Sequence, residues 1–372
     1  MPGIYLHIPF CKQACHYCNF HFTTSLRYKQ EMVEAICKEA VLQKNYTGNQ
    51  IIETVYFGGG TPSLLDQQEL QQILHAIHSH YPVDANAEIT LEANPDDITA
   101  KKLQDWKSAG INRLSIGVQS FFEEDLQWMN RAHRAAEALS CLKLARDLFD
   151  NITIDLIYGS PGLSNEKWKQ NVQTAIDLGI PHLSCYALTV EPKTPLDKLI
   201  RLQQKAEVDP EAQSAQFLLL MEWMHAAGYE HYEISNFAKP GWRSRHNSAY
   251  WQGQTYLGLG PSAHSYNGSE RQWNPSNNNI YIAAIEKGEL LFEKEVLTPD
   301  QQLNEYIMTA LRTLEGIQLE VLNNKHGVDP AALLKKAGGY IQTGHMILQN
   351  NALLLTNEGK LLADGIAASL FV

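Results

Sequence analysis

Cys11, Cys15 and Cys18 fall within eight residues, in the run His7-Ile8-Pro9-Phe10-Cys11-Lys12-Gln13-Ala14-Cys15-His16-Tyr17-Cys18. A segment this short can point three thiolates at one spot, and no fourth cysteine lies nearby. Thiolates hold iron–sulfur clusters, which usually take four ligands. A site with three protein ligands keeps one position open, and an open position on a metal serves chemistry more than architecture. Zinc is the alternative. It would draw a fourth ligand from His7, His16 or His21, although structural zinc sites usually bring paired ligands from two places.

A second chemical feature is Gly58-Gly59-Gly60-Thr61-Pro62, directly after an apolar run ending at Phe57. Consecutive glycines after a strand let the backbone approach a ligand and expose its N–H and C=O groups; a tight strand-to-helix turn is the plainer use. Single polar residues also stand where a core strand would be apolar: Glu92 in ITLEANP, Gln119 in LSIGVQSF, Asp155 in ITIDLIYG. Buried carboxylates are costly unless paired or used, and each of these residues alone is equally open to a structural role. Arg131 in MNR reads alone as a surface charge or a ligand. Further on, Arg245-His246-Asn247-Ser248-Ala249-Tyr250-Trp251 sets a histidine among aromatic residues. Histidine is a common axial ligand of heme iron, and Tyr and Trp pack on flat macrocycles; a hydrogen-bonded structural His-Asn pair is the rival.

These residues need elements to hold them. β-branched runs predict strands at Gly3–Ile8, Glu53–Phe57, Glu88–Leu91, Arg113–Val118, Thr153–Tyr158 and His182–Leu188. Apolar residues at three- and four-residue steps predict helices over 27–43, 66–80, 99–108, 134–148 and 165–178. Strands alternating with helices imply parallel βαβ crossovers in an α/β layer or barrel, with function at the carboxyl ends of the strands. From pattern alone, an eightfold barrel and a doubly wound sheet stay open beside a partial barrel. Residues 229–275, rich in Tyr, Trp, Asn, Gly and His, read as long site-forming loops. From about 298, helices over 299–314, 318–324 and 330–337 precede strands Met346–Leu348 and Ala352–Leu355 and a closing helix Asn357–Ser369. That helices-then-hairpin order resembles a winged-helix fold. The expected division is 1–235 for the barrel, 236–295 for the aromatic and Gly-rich extension, and 296–372 for the winged-helix-like domain.

Composition narrows the classes. The 372 residues carry a formal net charge of −11, with 44% hydrophobic and 19% charged residues, an ordinary globular balance. The acidic balance argues against a protein that grips phosphate backbones, and residues 295–372 hold five Lys/Arg against eight Asp/Glu, so nucleic acid is not an expected partner. MPGIYLHIPF lacks a secretory pattern. No apolar run approaches the ~20 residues of a membrane span; FLLLMEWMHAA at 217–227 reads as a buried helix. Peripheral membrane association stays open. Cys37, Cys141 and Cys185 are scattered singly, which with the clustered thiols suits a reducing cytoplasm.

The C-x3-C-x2-C spacing, with Tyr17 before the last cysteine, resembles the signature of the radical S-adenosylmethionine (SAM) superfamily. There, three cysteines bind a 4Fe–4S cluster and the methionine end of SAM chelates the remaining iron; the usual core is a partial (βα)6 barrel. The runs YLHIPFCKQACHYC, YFGGGTPSLL, LEANPDD, RLSIGVQSF, MNRAH, IDLIYGSPG and LSCYALTVEPKTPL resemble the successive motifs of the oxygen-independent coproporphyrinogen III dehydrogenase family over nearly the whole chain. The resemblance implies Tyr5 beside the cluster and SAM, Tyr17 against the adenine, and Gly59, Gly60 and Thr61 at the methionine end. It also implies that Glu92, Gln119, Arg131 and Asp155 complete the pocket.

Two departures set the chain apart from the dehydrogenase. Phe20 stands where that family has a fourth cysteine, and the long N-terminal extension of that family is expected to be absent. The His246–Trp251 segment in turn resembles the HNxxYW motif of HemW-type heme chaperones, which implies heme at His246, Asn247, Tyr250 and Trp251. The expectation is a heme chaperone of the radical SAM type, without coproporphyrinogen dehydrogenase activity. It would bind a 4Fe–4S cluster, SAM and heme, and pass heme to acceptor hemoproteins such as those of respiratory chains. The rivals are the dehydrogenase, which decarboxylates porphyrinogen propionates through a deoxyadenosyl radical, and a radical SAM enzyme for another substrate.

Overall fold

The computed structural model describes residues 2–372. Six parallel strands form its centre: β1 (Gly3–Ile8), β2 (Ile52–Gly59), β3 (Val83–Ala93), β4 (Arg113–Gln119), β5 (Asn151–Tyr158) and β6 (His182–Ala187). Between them run helices α1 (Lys29–Leu42), α2 (Gln67–His80), α3 (Ala100–Ala109), α4 (Glu123–Trp128), α5 (Ala135–Arg146) and α6 (Asn165–Asp177). The period-2 pattern of β1 explains the layering. Ile4, Leu6 and Ile8 are buried in one core with Met32, Val33 and Ile36 of α1, while Tyr5 and His7 on the opposite face line cavities.

Neighbouring strands follow in chain order, 1-2-3-4-5-6. Each crossover moves one step the same way, so right-handed connections keep the helices on one face and the sheet curls around the other. A doubly wound sheet would reverse its order; this one does not. Nor does it close as an eightfold barrel, because β6 is followed by an antiparallel neighbour and β1 pairs with a later strand. The fold is a partial barrel.

Chemistry at the helix ends matches the sequence. Asp66 and Glu69 form a reciprocal capping box at the start of α2. Gly110, at φ 104°, terminates α3 in the left-handed conformation that only glycine adopts cheaply.

Beyond β6 come α7 (Pro195–Arg201), α8 (Pro210–Ala226), β7 (Glu230–Glu233), β8 (Asn236–Ala238), α9 (Arg245–Trp251), β9 (Tyr256–Leu259), β10 (His264–Tyr266), β11 (Glu270–Trp273), α10 (Asn278–Glu286) and β12 (Glu293–Val296). Two expectations need correction. The apolar run 217–227 is no fully buried helix: α8 buries Phe217, Leu220, Met221 and Met224 but leaves Leu218 exposed. Residues 229–275 are no loop array either. Their short strands, with β12 beyond them, extend the barrel sheet at both edges to twelve strands, in the order β12-β11-β10-β9-β1-β2-β3-β4-β5-β6-β8-β7.

The C-terminal residues form α11 (Pro299–Leu311), β13 (Ile317–Gln318), α12 (Leu319–His326), α13 (Pro330–Gln342), β14 (Met346–Gln349), β15 (Ala352–Leu355), α14 (Asn357–Lys360) and α15 (Ala363–Leu370). The antiparallel sheet β13-β15-β14 and its helices enclose a separate core that includes Leu303, Ile307, Leu322, Leu353 and Ile366, in a winged-helix-like arrangement. The single closing helix expected from the sequence is two, parted at Leu361–Leu362. Gly359 explains the tight entry, since any side chain there would strike the His345 carbonyl.

Candidate functional site

The cysteine loop leaves β1 and is pinched at its neck, where Cys11 N–H donates to Thr23 O (3.0 Å) and Thr23 N–H to Pro9 O (2.8 Å). Its far end is tied to the segment after α4: His16 N–H donates to Met129 O (3.1 Å), and Asn130 Nδ2 to Ala14 O (2.8 Å). The loop is thus held from two sides before any ligand is considered. All six cysteines are free thiols.

The glycine turn is fitted against this loop. Gly60 N–H donates to Ile8 O (2.9 Å) and Thr61 N–H to Phe10 O (2.6 Å). Gly59 has φ 101°, and a Cβ there would lie 2.6 Å from the His7 ring; one on Gly60 would lie 2.6 Å from Phe10 O. Glycine is therefore required both by the backbone angle and by close packing. The space over Gly59 is filled by His7, not by the ligand cleft.

Cys11, Cys15, Cys18, Tyr17, Gly59, Gly60, Thr61, Glu92, Gln119, Arg131 and Asp155 all line one cleft of about 470 Å³ at the carboxyl ends of β1–β5, within the ~300–1000 Å³ range of small-molecule sites. Arg131 organises it. Its Nη1 donates to Cys15 Sγ (3.3 Å) and Tyr17 Oη (3.4 Å), and its Nη2 to Asn94 Oδ1 (2.7 Å) and Gly117 O (2.8 Å). Burial opposes its charge, but Tyr17 and Cys15 more than offset that and hold the guanidinium charged. Thr61 Oγ1 lies 3.5 Å from Cys11 Sγ, and Asn94 Nδ2 donates to Thr61 Oγ1 (3.2 Å). Asn94, which links Arg131 to Thr61, has no part in the sequence reading; its place between Glu92 and Pro95 in LEANPDD is the only signal for it.

The carboxylates are perturbed. Burial raises Glu92 to about 7, against a hydrogen bond from Tyr56 Oη (2.7 Å), and raises Asp155 to about 6 against Arg113 and Arg131. Burial likewise pushes the Cys11 thiol up to about 11. Gln119 takes φ 66° where β4 shifts register, a strained backbone of the kind that gathers at binding sites.

Donor chemistry suits a thiolate cluster. Three thiols share a cleft, a cation and a hydroxyl stand beside two of them, and carboxylates lie across it. Each histidine that zinc would draw on as a fourth ligand has one ring nitrogen engaged by protein. His7 Nε2 pairs with His21 O (2.8 Å), His16 Nδ1 with Trp128 O (3.3 Å) and His21 Nε2 with Asn278 Oδ1 (2.7 Å).

Tyr5 and the aromatic motif fall elsewhere. Tyr5 does not line the cleft; it stacks on Tyr56 (6.1 Å between centroids) deeper in the barrel. His246 is 3% exposed. Its Nδ1 pairs with Thr54 Oγ1 (2.7 Å), its Nε2 with Tyr250 Oη (3.1 Å), and its ring stacks on Tyr56 at 4.9 Å. Both ring nitrogens thus have protein partners, Thr54 and Tyr250. Asn247 Nδ2 lies 3.3 Å from Tyr232 Oη. Trp251 parts from its neighbours and lies under Arg312, with the guanidinium 5.2 Å from the ring centroid. The motif is a short helix, α9, whose residues face different partners.

Comparison with known proteins adds to this geometry. The radical SAM superfamily profile matches residues 5–175, and the HemN C-terminal domain profile matches residues 297–362. Over 98% of both chains the sequence is 34% identical to the heme chaperone HemW of Bacillus subtilis (strain 168). It is 38% identical to the heme chaperone HemW of Escherichia coli (strain K12) over 70% of this chain and 69% of that one. With the mouse mitochondrial radical S-adenosyl methionine domain-containing protein 1 it shares 37% identity, covering 70% of this chain and 60% of the relative. In fold it resembles coproporphyrinogen III oxidase (HemN) from Escherichia coli, with TM-score 0.85 at 22% identity over 100% of this chain and 90% of the other.

Proposed function

We propose, given that this chain belongs to the HemW heme-chaperone family of the radical SAM superfamily, that it binds heme and passes it to acceptor hemoproteins in the cytoplasm. The observation that carries this reading is the likeness to curated heme chaperones along nearly the whole length, C-terminal domain included.

Cys11, Cys15 and Cys18 would hold a 4Fe–4S cluster, with Arg131 and Thr61 beside Cys15 and Cys11 to stabilise the thiolates. Bound there, the cluster supplies an open iron for the methionine end of SAM. Gly59, Gly60, Thr61, Glu92, Gln119 and Asp155 would hold SAM, and Tyr17, set by its bond to Arg131, would offer a flat face to the adenine. Phe20, where the dehydrogenase family has its fourth cysteine, stands 65% exposed at the rim of the cleft. It offers no thiol to that chemistry.

Anaerobic reconstitution with iron and sulfide, followed by hemin titration, tests the reading. About one cluster and one saturable heme per chain are expected, with no conversion of coproporphyrinogen when SAM and reductant are present. Cluster content should vanish in the Cys11, Cys15 and Cys18→Ala triple variant and persist in Cys37→Ala. Porphyrinogen turnover without heme uptake would overturn the proposal in favour of the dehydrogenase.

A further inference from the structure

The space at His246 is small. The cavity around that ring, between Tyr5, Tyr56, Arg113 and His182, has about 200 Å³, below the ~300–1000 Å³ of small-molecule sites, and both ring nitrogens are taken. A second cavity, of about 430 Å³, lies beside the cysteine cleft; Asn19 and Phe20 line both.

Three histidines line this second cavity, and they differ in what they can offer. His7 and His21 each spend Nε2 on a protein acceptor. His264, on β10, stacks on Trp273 (5.8 Å between centroids, 24° between planes) and is exposed. Among the described residues no protein group bonds to either of its nitrogens. The backbone behind it is fixed: a side chain on Gly258 would strike the His264 carbonyl, and Ser262, also on the cavity, has φ 64°.

The walls suit a flat apolar ligand. Tyr250 and Tyr256 line the cavity and meet edge to face at 4.6 Å. Phe20 exposes a large apolar side chain at its mouth, surface that gains from contact with a planar ring.

We propose that heme docks in this second cavity, with His264 as the axial ligand of its iron and Phe20 packed on the macrocycle, beside the cluster cleft and with Tyr250 as the one residue of the HNxxYW helix on its wall. The inference rests on the chaperone reading and gives that reading a site.

The test is hemin titration of cluster-loaded, full-length protein, read by magnetic circular dichroism and resonance Raman at Soret excitation. Wild-type protein should show histidine ligation at one heme per chain. His264→Ala should lose that signature and raise the Kd about tenfold, while His264→Met should keep heme with a changed ligand signature. Phe20→Ala should raise the Kd about fivefold with the signature intact. A wild-type signature in His264→Ala overturns the site and leaves the chaperone reading standing. So does loss of the signature in His246→Phe alone. Wild-type protein that takes up no heme overturns the chaperone reading itself.

Discussion

A carboxylate held near neutrality reports pH to whatever it binds. Glu92 is raised to about 7, chiefly by burial, with Asp155 adding to the shift and Tyr56 opposing it. If the carboxylate is the form that receives SAM, protonation below that value removes it. SAM affinity of cluster-loaded protein should therefore fall about tenfold per unit as pH drops below 7 and level off above it. Glu92→Gln should bind more weakly and flatten the profile. Equilibrium binding across that range checks this, and a flat wild-type profile counts against Glu92 as a ligand. The cysteines and the glycine turn were legible because their spacing is local. The packing of His246 was not: its partner Thr54 lies 192 residues away in sequence, and no local pattern shows the bonds its ring makes.

At the scale of elements, apolar periodicity found β1–β6 and five of the six helices between them, because each strand packs a buried face; it missed the short α4 and began β3 five residues late, at Glu88 rather than Val83. The edge strands escaped notice. β10 and β11, with sequences HSY and ERQW, are too short and polar for a hydrophobic pattern, and backbone pairing alone makes them strands. What fixes this edge to the barrel is a buried carboxylate. Glu39 of α1 accepts from Tyr281 Oη (2.6 Å), Gly260 N–H (2.8 Å), Asn274 Nδ2 (2.7 Å) and Gln43 Nε2 (2.8 Å). Glu39→Ala strands those donors and should cost about 3 kcal/mol or more, measured by urea unfolding, with hydrogen exchange rising first in α10 and β9. Asp66→Ala, which removes the cap of α2, should cost only about 1 kcal/mol.

Over the whole molecule, strands in chain order decide the barrel, and this the sequence could not distinguish from a doubly wound sheet, since both alternate strand and helix. The C-terminal domain has its own core and is clasped to the barrel through Arg312. Its Nε lies 3.4 Å from buried Glu233, its guanidinium covers Trp251, and its carbonyl accepts from Ile234 N–H (3.0 Å). Arg243 adds a bond to Glu315 (2.7 Å). Arg312→Ala leaves Glu233 without its cation and should cost about 3 kcal/mol. Residues 299–370 should then become protease-sensitive at a lower temperature than the barrel. Equal sensitivity of both regions would mean that the clasp lies elsewhere.

Asn19 and Phe20 form a party wall between two chambers. If the cleft takes SAM and its neighbour takes heme, neither tenant can settle without pressing on the same two side chains. Thermodynamics makes that pressure mutual: whatever factor SAM applies to heme affinity, heme must return to SAM. The two coupling factors, measured separately on cluster-loaded protein, should agree, and both should approach unity in Phe20→Ala. A party wall of this kind would let the arrival of SAM set when cargo is held and when it is released.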